Sequence, residues 1–316
     1  MEKIPFFKPS IGNEEINAAT DIIRSRYMTM GPKVAEFEHE FGKYIGNKYC
    51  VATNSLTNGY LILLNYLKPE WLTMPSMTYI SMANIPRIFG IEIELRDTVH
   101  VGHAYPIFTD KGIIVDSAHE IERNICKGTK DYWLFSFYAN KSMTTGGAGG
   151  MIICPDKKSY DYLRHARKNG VVNNKETWEY DVEVPGWCAY MTDLNASIGI
   201  EQLKKMDIFN TAKQMIVYSY NEQLGENNTS LHLYTIYVKK RDKFINYMKK
   251  NNVECSVHYK TPIHMQPAFK DNKTKLPYTE DVAKKTVSLP LYPDLLEYKN
   301  VKHICDLVND WRRKNV

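Results

Sequence analysis

The chain has 316 residues, 43% apolar and 24% charged, which at about 100–200 residues per domain suits one large domain and a smaller second one. The net charge is +5, but basic and acidic residues alternate and the longest basic runs are pairs such as Lys239-Lys240, which argues against nucleic acid or a membrane surface as the main partner. No apolar run approaches the ~18 residues of a membrane span and the N-terminus lacks a signal-peptide apolar region, so a cytoplasmic protein is expected.

Ile16, Ala19 and Ile23, then Val34, Phe37, Phe41, Tyr44 and Ile45, recur at helical spacing, with Met30-Gly-Pro32 as the turn between two helices and Gly46 as the stop of the second. From Tyr49 short apolar runs alternate with helical stretches, and strands are expected at Tyr49–Thr53, Leu72–Met74, Ile91–Leu95, Ile113–Val115, Trp133–Ser136 and Met151–Cys154. This is the order of a mainly parallel sheet covered by helices, an α/β class that binds ligands beyond the carboxyl ends of its strands. Trp178–Pro185 reads as polar and irregular, followed by helices at Asp193–Lys205 and Thr211–Leu224. Beyond these, a strand at Leu231–Val238, a helix near Asp242–Lys250 and a strand near Val253–His258 suggest a small α+β domain over 207–316, after a large domain over 1–206. Cys50, Cys126, Cys154, Cys188, Cys255 and Cys305 are widely spaced with no CxxC, so they read as buried or incidental thiols and no metal site is expected.

Four segments at strand ends carry chemistry. Ser136-Phe-Tyr-Ala-Asn-Lys141 delivers a serine and a lysine into a glycine-rich return ending at Gly150. A lysine desolvated there gains nucleophilicity, although a lysine beside glycines is also an ordinary surface turn residue. Ile113-Ile-Val-Asp116 ends an apolar strand on a carboxylate, the group that would pair with a protonated pyridine nitrogen, or simply cap a helix; His119 follows three residues later. Asn54-Ser55-Leu-Thr57-Asn58 opens a helix with hydroxyl and amide groups suited to a phosphate. Pro75-Ser-Met-Thr78-Tyr79 presents an aromatic that could stack on a flat ring or pack in the core. Amine, acid, phosphate cradle and stacking ring together make a pyridoxal-phosphate (PLP) site.

With these residues the sequence resembles the DegT-type, or StrS-like, nucleotide-sugar aminotransferases. Gly31-Pro32, Asp193, His258-Tyr259, Pro262-Ile-His264 and Leu289-Pro-Leu-Tyr-Pro293 fall in the family's order as well. The resemblance implies the PLP-transferase type I fold, like aspartate aminotransferase, with three layers around the sheet. It implies Lys141 as the residue that holds the cofactor covalently and moves the proton, and Asp116 at the pyridine nitrogen. His119 would meet the ring hydroxyl, Tyr79 the ring face, and Ser136, Ser55, Thr57 and Asn58 the phosphate. Tyr138 and His264 are the candidates at the substrate. L-glutamate would be the amino donor and a nucleotide-linked keto sugar the acceptor, with pyridoxamine phosphate as the alternate cofactor form and a homodimer sharing its active sites. Cys188 and Tyr190 stand where family members commonly carry an Asn and an Arg or Asn, Asn169 replaces a usual His, and the linker around Glu222–Ser230 is short. These departures leave open a PLP- or sugar-nucleotide-sensing protein without turnover, or an acceptor that is not a sugar.

Overall fold

The computed structural model describes residues 2–176, 179–270, 274–296 and 298–315. Helices α1 (Asn13–Ser25) and α2 (Pro32–Ile45) precede an alternation of β1 (Cys50–Thr53), α3 (Leu56–Leu67), β2 (Trp71–Pro75), α4 (Ser81–Ile88) and β3 (Glu92–Arg96). Then come β4 (Tyr105–Thr109), β5 (Gly112–Asp116), β6 (Tyr132–Ser136), β7 (Gly150–Ile153), α5 (Lys157–Ala166), β8 (Val171–Glu176) and β9 (Glu179–Val182). Helices α6 (Asp193–Lys204) and α7 (Met206–Leu224) lead into β10 (Tyr234–Tyr237), α8 (Arg241–Lys250), α9 (Pro277–Lys285), β11 (Thr286–Leu289) and α10 (Tyr298–Lys314).

The central sheet has seven strands in the order β1-β7-β6-β5-β4-β2-β3. Its pairings are parallel for β5 with β6 and β2 with β3, and antiparallel elsewhere. Following them across the sheet, β1, β2, β3, β5 and β6 point one way while β4 and β7 run against them. The carboxyl ends of β1, β2, β5 and β6 therefore open on one edge, where the residues that follow them must gather. Strands β1 and β7 are buried along their whole length, which is why they read as continuous apolar runs without alternation.

The structure departs from the sequence reading at several places. Strand β4 lies in a stretch for which no strand is expected from the sequence. It alternates buried Tyr105, Ile107 and Thr109 with exposed Pro106 and Phe108, so one face meets solvent and the apolar run is broken. The stretch read as irregular contributes a hairpin, β8 with β9, whose β9 side chains are all exposed and so give no apolar period; Trp178 lies outside the described residues. Val253–His258 forms no ladder. It makes single bridges, Val253 to Ile4 and Ser256 to Ser288, because a different segment flanks it at each point. Helix α7 begins five residues earlier than Thr211, since Met206 and Phe209 bury into the core around Phe37 and Phe41.

Two apolar cores flank the sheet, one under α3 and α4 and one under α2 and α6. A third joins α7, α8, α10, β10 and β11, with Ile4 from the N-terminus. Between α2 and β1 lies a buried ion pair: Arg167 bonds Glu38, and both reach the backbone of Ala52, Glu38 accepting its N–H at 2.8 Å and Arg167 donating to its carbonyl at 2.8 Å. Removing one partner strands the other charge in the core. Arg167→Ala should lower unfolding free energy by about 3–5 kcal/mol in a denaturant titration, far more than a surface Arg→Ala.

Candidate active site

Ser136 ends β6, and the chain returns to β7 at Gly150, its direct partner in the ladder. Gly150 also pairs with Thr53 of β1, which places the start of α3 against it. A side chain there is excluded: a Cβ would sit 2.5 Å from the Leu56 nitrogen and 2.6 Å from the Ser55 carbonyl carbon. The close approach brings the first turn of α3 beside the loop that carries Lys141. Within that loop, Gly146 (φ +80°) and Gly147 (φ +142°) take left-handed backbone that other residues resist.

Lys141 lines a cavity of about 360 Å³ at the shared strand edge. Its ammonium has no hydrogen bond or ion pair among the described residues, and burial lowers its pKa to about 8, against the pull of the Asp116 charge. Asp116, at the end of β5, is buried, and desolvation raises its pKa above the usual carboxylate range. Two donors oppose that: the Tyr105 hydroxyl at 2.7 Å and the Ala118 N–H at 2.9 Å. The remaining lone pairs of the carboxylate are unspent. His119 accepts from the Gly102 N–H at 3.2 Å through Nδ1, so its proton sits on Nε2, and burial holds the ring neutral. Its ring packs on His232 with centroids 4.8 Å apart.

In the same cavity lining Ser55 caps α3, its oxygen accepting from the Asn58 N–H at 3.1 Å. Its own O–H, the hydroxyls of Thr57 and Ser136, and the Leu56 and Thr57 amides, which have no acceptor inside the helix, make an anion cup at a helix N-terminus. A buried acid, an uncommitted amine and an anion cup lining one cavity are the complement of a charged pyridine ring, an aldehyde and a phosphate. The residues present thus fit PLP.

Of the residues singled out in the sequence, Lys141, Asp116, His119, Ser136, Ser55, Thr57, Tyr79 and Tyr138 all line this cavity, the two tyrosines at its exposed mouth. Asn58 does not; its amide serves the Ser55 cap and its side chain donates to Asn54 at 2.8 Å. His264, expected at the substrate, is buried away from the cavity, its Nδ1 2.7 Å from the Ser76 hydroxyl and its Nε2 3.4 Å from Glu280. Cys188 and Tyr190 run beside β1, Tyr190 bridged to Thr53, and neither lines the cavity. Sequence reasoning missed Tyr105, His103, His232, His258 and Tyr259. Tyr105 had a signal in its two-residue alternation ahead of the Asp110-Lys111-Gly112 turn; His258-Tyr259 stood out only as a motif of the family's order, with no role attached, and His103 and His232 carry no local mark.

This fold is that of the PLP-dependent aminotransferases: Spr1654 of Streptococcus pneumoniae, solved in a PMP form, superposes with a TM-score of 0.86 at 21% identity, covering 99% of this chain and all of that one. The same protein solved in its PLP form gives 0.84. The model of the DegT/DnrJ/EryC1/StrS aminotransferase family matches residues 9–98 and 111–309, and the chain belongs to that family and is an aminotransferase. MJ1066 of Methanocaldococcus jannaschii is 30% identical over 97% of this chain and 96% of its own length. The spore coat polysaccharide biosynthesis protein SpsC of Bacillus subtilis is 27% identical over 97% of this chain and 96% of its own. Among the described residues no helix is long and apolar enough to cross a membrane, and no group of three His, Cys, Asp or Glu side chains could hold a metal ion.

The depressed Lys141 pKa is open to direct measurement. Competitive acylation of the cofactor-free protein, followed residue by residue with mass spectrometry, should give Lys141 a midpoint near 8. Asp116→Asn should move it lower still, because the carboxylate charge is what holds the ammonium up. A midpoint at the ordinary value of 10.5 would contradict a desolvated amine at this position.

Proposed function

We propose that this chain, as a homodimer, transfers an amino group from L-glutamate to a keto sugar carried on a nucleotide, with PLP held between Lys141 and Asp116. The observation that carries the cofactor assignment is the meeting of a desolvated, unpartnered lysine amine and a buried carboxylate in one cavity. Family membership, and the PLP and PMP forms of Spr1654, support it. The sugar acceptor, a 4-keto-6-deoxyhexose or 3-keto sugar for amino-sugar and surface-polysaccharide synthesis, is supported by the resemblance in the sequence and by the role in SpsC's name.

When bound, PLP supplies the aldehyde that exchanges amines and the ring that takes up an electron pair, its pyridoxamine form carrying the amino group between the two halves. Lys141 takes the proton from the donor's α-carbon and returns one to the acceptor, work suited to an amine whose pKa lies near 8. Asp116 would keep its charge for the ring nitrogen, the His119 Nε2–H would be available to the ring hydroxyl, and Tyr79 would cover the ring. Ser136, Ser55, Thr57 and the first amides of α3 would hold the phosphate, while Asn58 fixes Ser55. Tyr138 at the mouth is left to meet the sugar.

Glutamate added to the PLP-loaded protein should release 2-oxoglutarate and shift the absorbance to that of pyridoxamine phosphate. A panel of nucleotide-linked 3-keto and 4-keto sugars, read by mass spectrometry, should then yield an amino sugar. Lys141→Ala should lose turnover by on the order of 10²–10⁴-fold. A protein that never binds PLP sinks the proposal; one that binds it yet releases no 2-oxoglutarate overturns glutamate as the donor.

A further inference from the structure

We propose that Tyr105, held from behind by Thr78, is a positioning residue that keeps the Asp116 carboxylate charged and aimed, and so sets how tightly this site binds a pyridine ring. The inference rests on the PLP reading above. Tyr105 opens β4 directly across the ladder from Asp116, and its hydroxyl lies 2.7 Å from Oδ2. The Thr78 Oγ1 lies 2.5 Å from that same hydroxyl. A phenol has one hydrogen. With that hydrogen on Asp116, Thr78 must be the donor to Tyr105, and the chain Thr78 to Tyr105 to Asp116 runs one way.

All three side chains are buried, so solvent cannot replace a lost donor. The other groups facing the carboxylate do not substitute for it. The Ala118 N–H is committed to Oδ1, Lys141 contributes charge from the cavity, and Tyr60 of α3 and Tyr259 lie near enough to feel the Asp116 charge without bonding it. Tyr105 also lies within residues 99–110, which the family model leaves unmatched between its two stretches. This donor is thus supplied by a part of the chain that the family description does not cover.

The test is a binding titration with PLP on the wild type, Tyr105→Phe, Asp116→Asn and the double variant. Tyr105→Phe keeps the ring and removes only the hydroxyl; Thr78→Val, which unseats that hydroxyl from behind, is the second variant should the first fold poorly. Tyr105→Phe should weaken PLP binding by about tenfold, the scale of one hydrogen bond to a charged group. Loss of a donor raises the carboxylate pKa, so the pH at which binding is half lost on the acid side should move upward. That limb is read well below the Lys141 midpoint near 8, and the phenols stay protonated throughout. In the Asp116→Asn background the same change should cost no more than about twofold, as coupled groups do. Unchanged affinity and an unmoved acid limb in Tyr105→Phe, with the wild type binding PLP, overturn this inference alone. An equal loss with and without the Asp116 carboxyl assigns Tyr105 a merely structural part and overturns it too. Failure of the wild type to bind PLP at all removes the parent reading instead.

Discussion

Holding a charge on a carboxylate out of water is the constraint around which this site is arranged. Burial alone drives Asp116 toward its neutral acid, which could not pair with a cationic ring nitrogen. The fold counters with two hydrogen-bond donors and one facing amine, each from a different segment: Tyr105 from β4, Ala118 from the turn after β5, and Lys141 from the loop after β6. The lysine is affected in the opposite sense. The desolvation that raises the acid lowers the amine, and each group's charge partly offsets the other's loss of water. Two groups that are both costly to bury are therefore tolerable together, and because desolvation outweighs the coupling, the lysine is left able to give and accept a proton near neutral pH.

Much of this was legible in the sequence because the chemistry sits where periodicity ends. Apolar runs stopping on Asp116 and Ser136 mark strand ends, and a Ser55 cap after β1 marks a helix start, so three cavity walls are legible in the sequence. What was illegible has physical causes. Strand β4 has a solvent-facing side, and Pro106 within it argues against a strand by ordinary rules. Strand β9 buries nothing and carries no apolar signal. His232, His258 and Tyr259 reach the cavity only because the third core folds that part of the chain, with Phe6 and Phe7 of the N-terminus, over the sheet edge. No local pattern encodes such a meeting. His264 shows the reverse case: a polar residue in a suggestive motif whose ring is buried beside Ser76 and Glu280 and does not line the cavity.

Geometry of the phosphate end follows from a steric fact at one residue. Gly150 is squeezed between the last residue of β1 and the last of β6, and its missing side chain lets the backbone of α3 cross at van der Waals distance. Any larger residue would push the helix start away from Ser136, separating the amides that make the anion cup from the hydroxyl that completes it. Glycine at the start of β7 therefore does more than permit a turn: it keeps the first amides of α3 close to Ser136.

The antiparallel β4 links the chain's brevity to its chemistry. Eight residues, 97–104, separate β3 from β4. A parallel strand would need a crossover of about a dozen residues or more, usually with a helix. Too short for that, the segment turns at the sheet edge and enters in the opposite sense, and a tight turn at Asp110-Lys111 sends it back as β5. The segment is anchored on the C-terminal side, where Asp97 accepts the Tyr278 and Thr279 amides that open α9 and Gly102 receives the Ser230 hydroxyl. Reversal also puts the first residue of β4, and not its last, at the edge where the site lies. That residue is Tyr105, directly opposite Asp116. A strand entering in the usual sense would bring its final residue there, on a longer loop, and the hydroxyl that now steadies the buried acid would sit at the far end of the sheet.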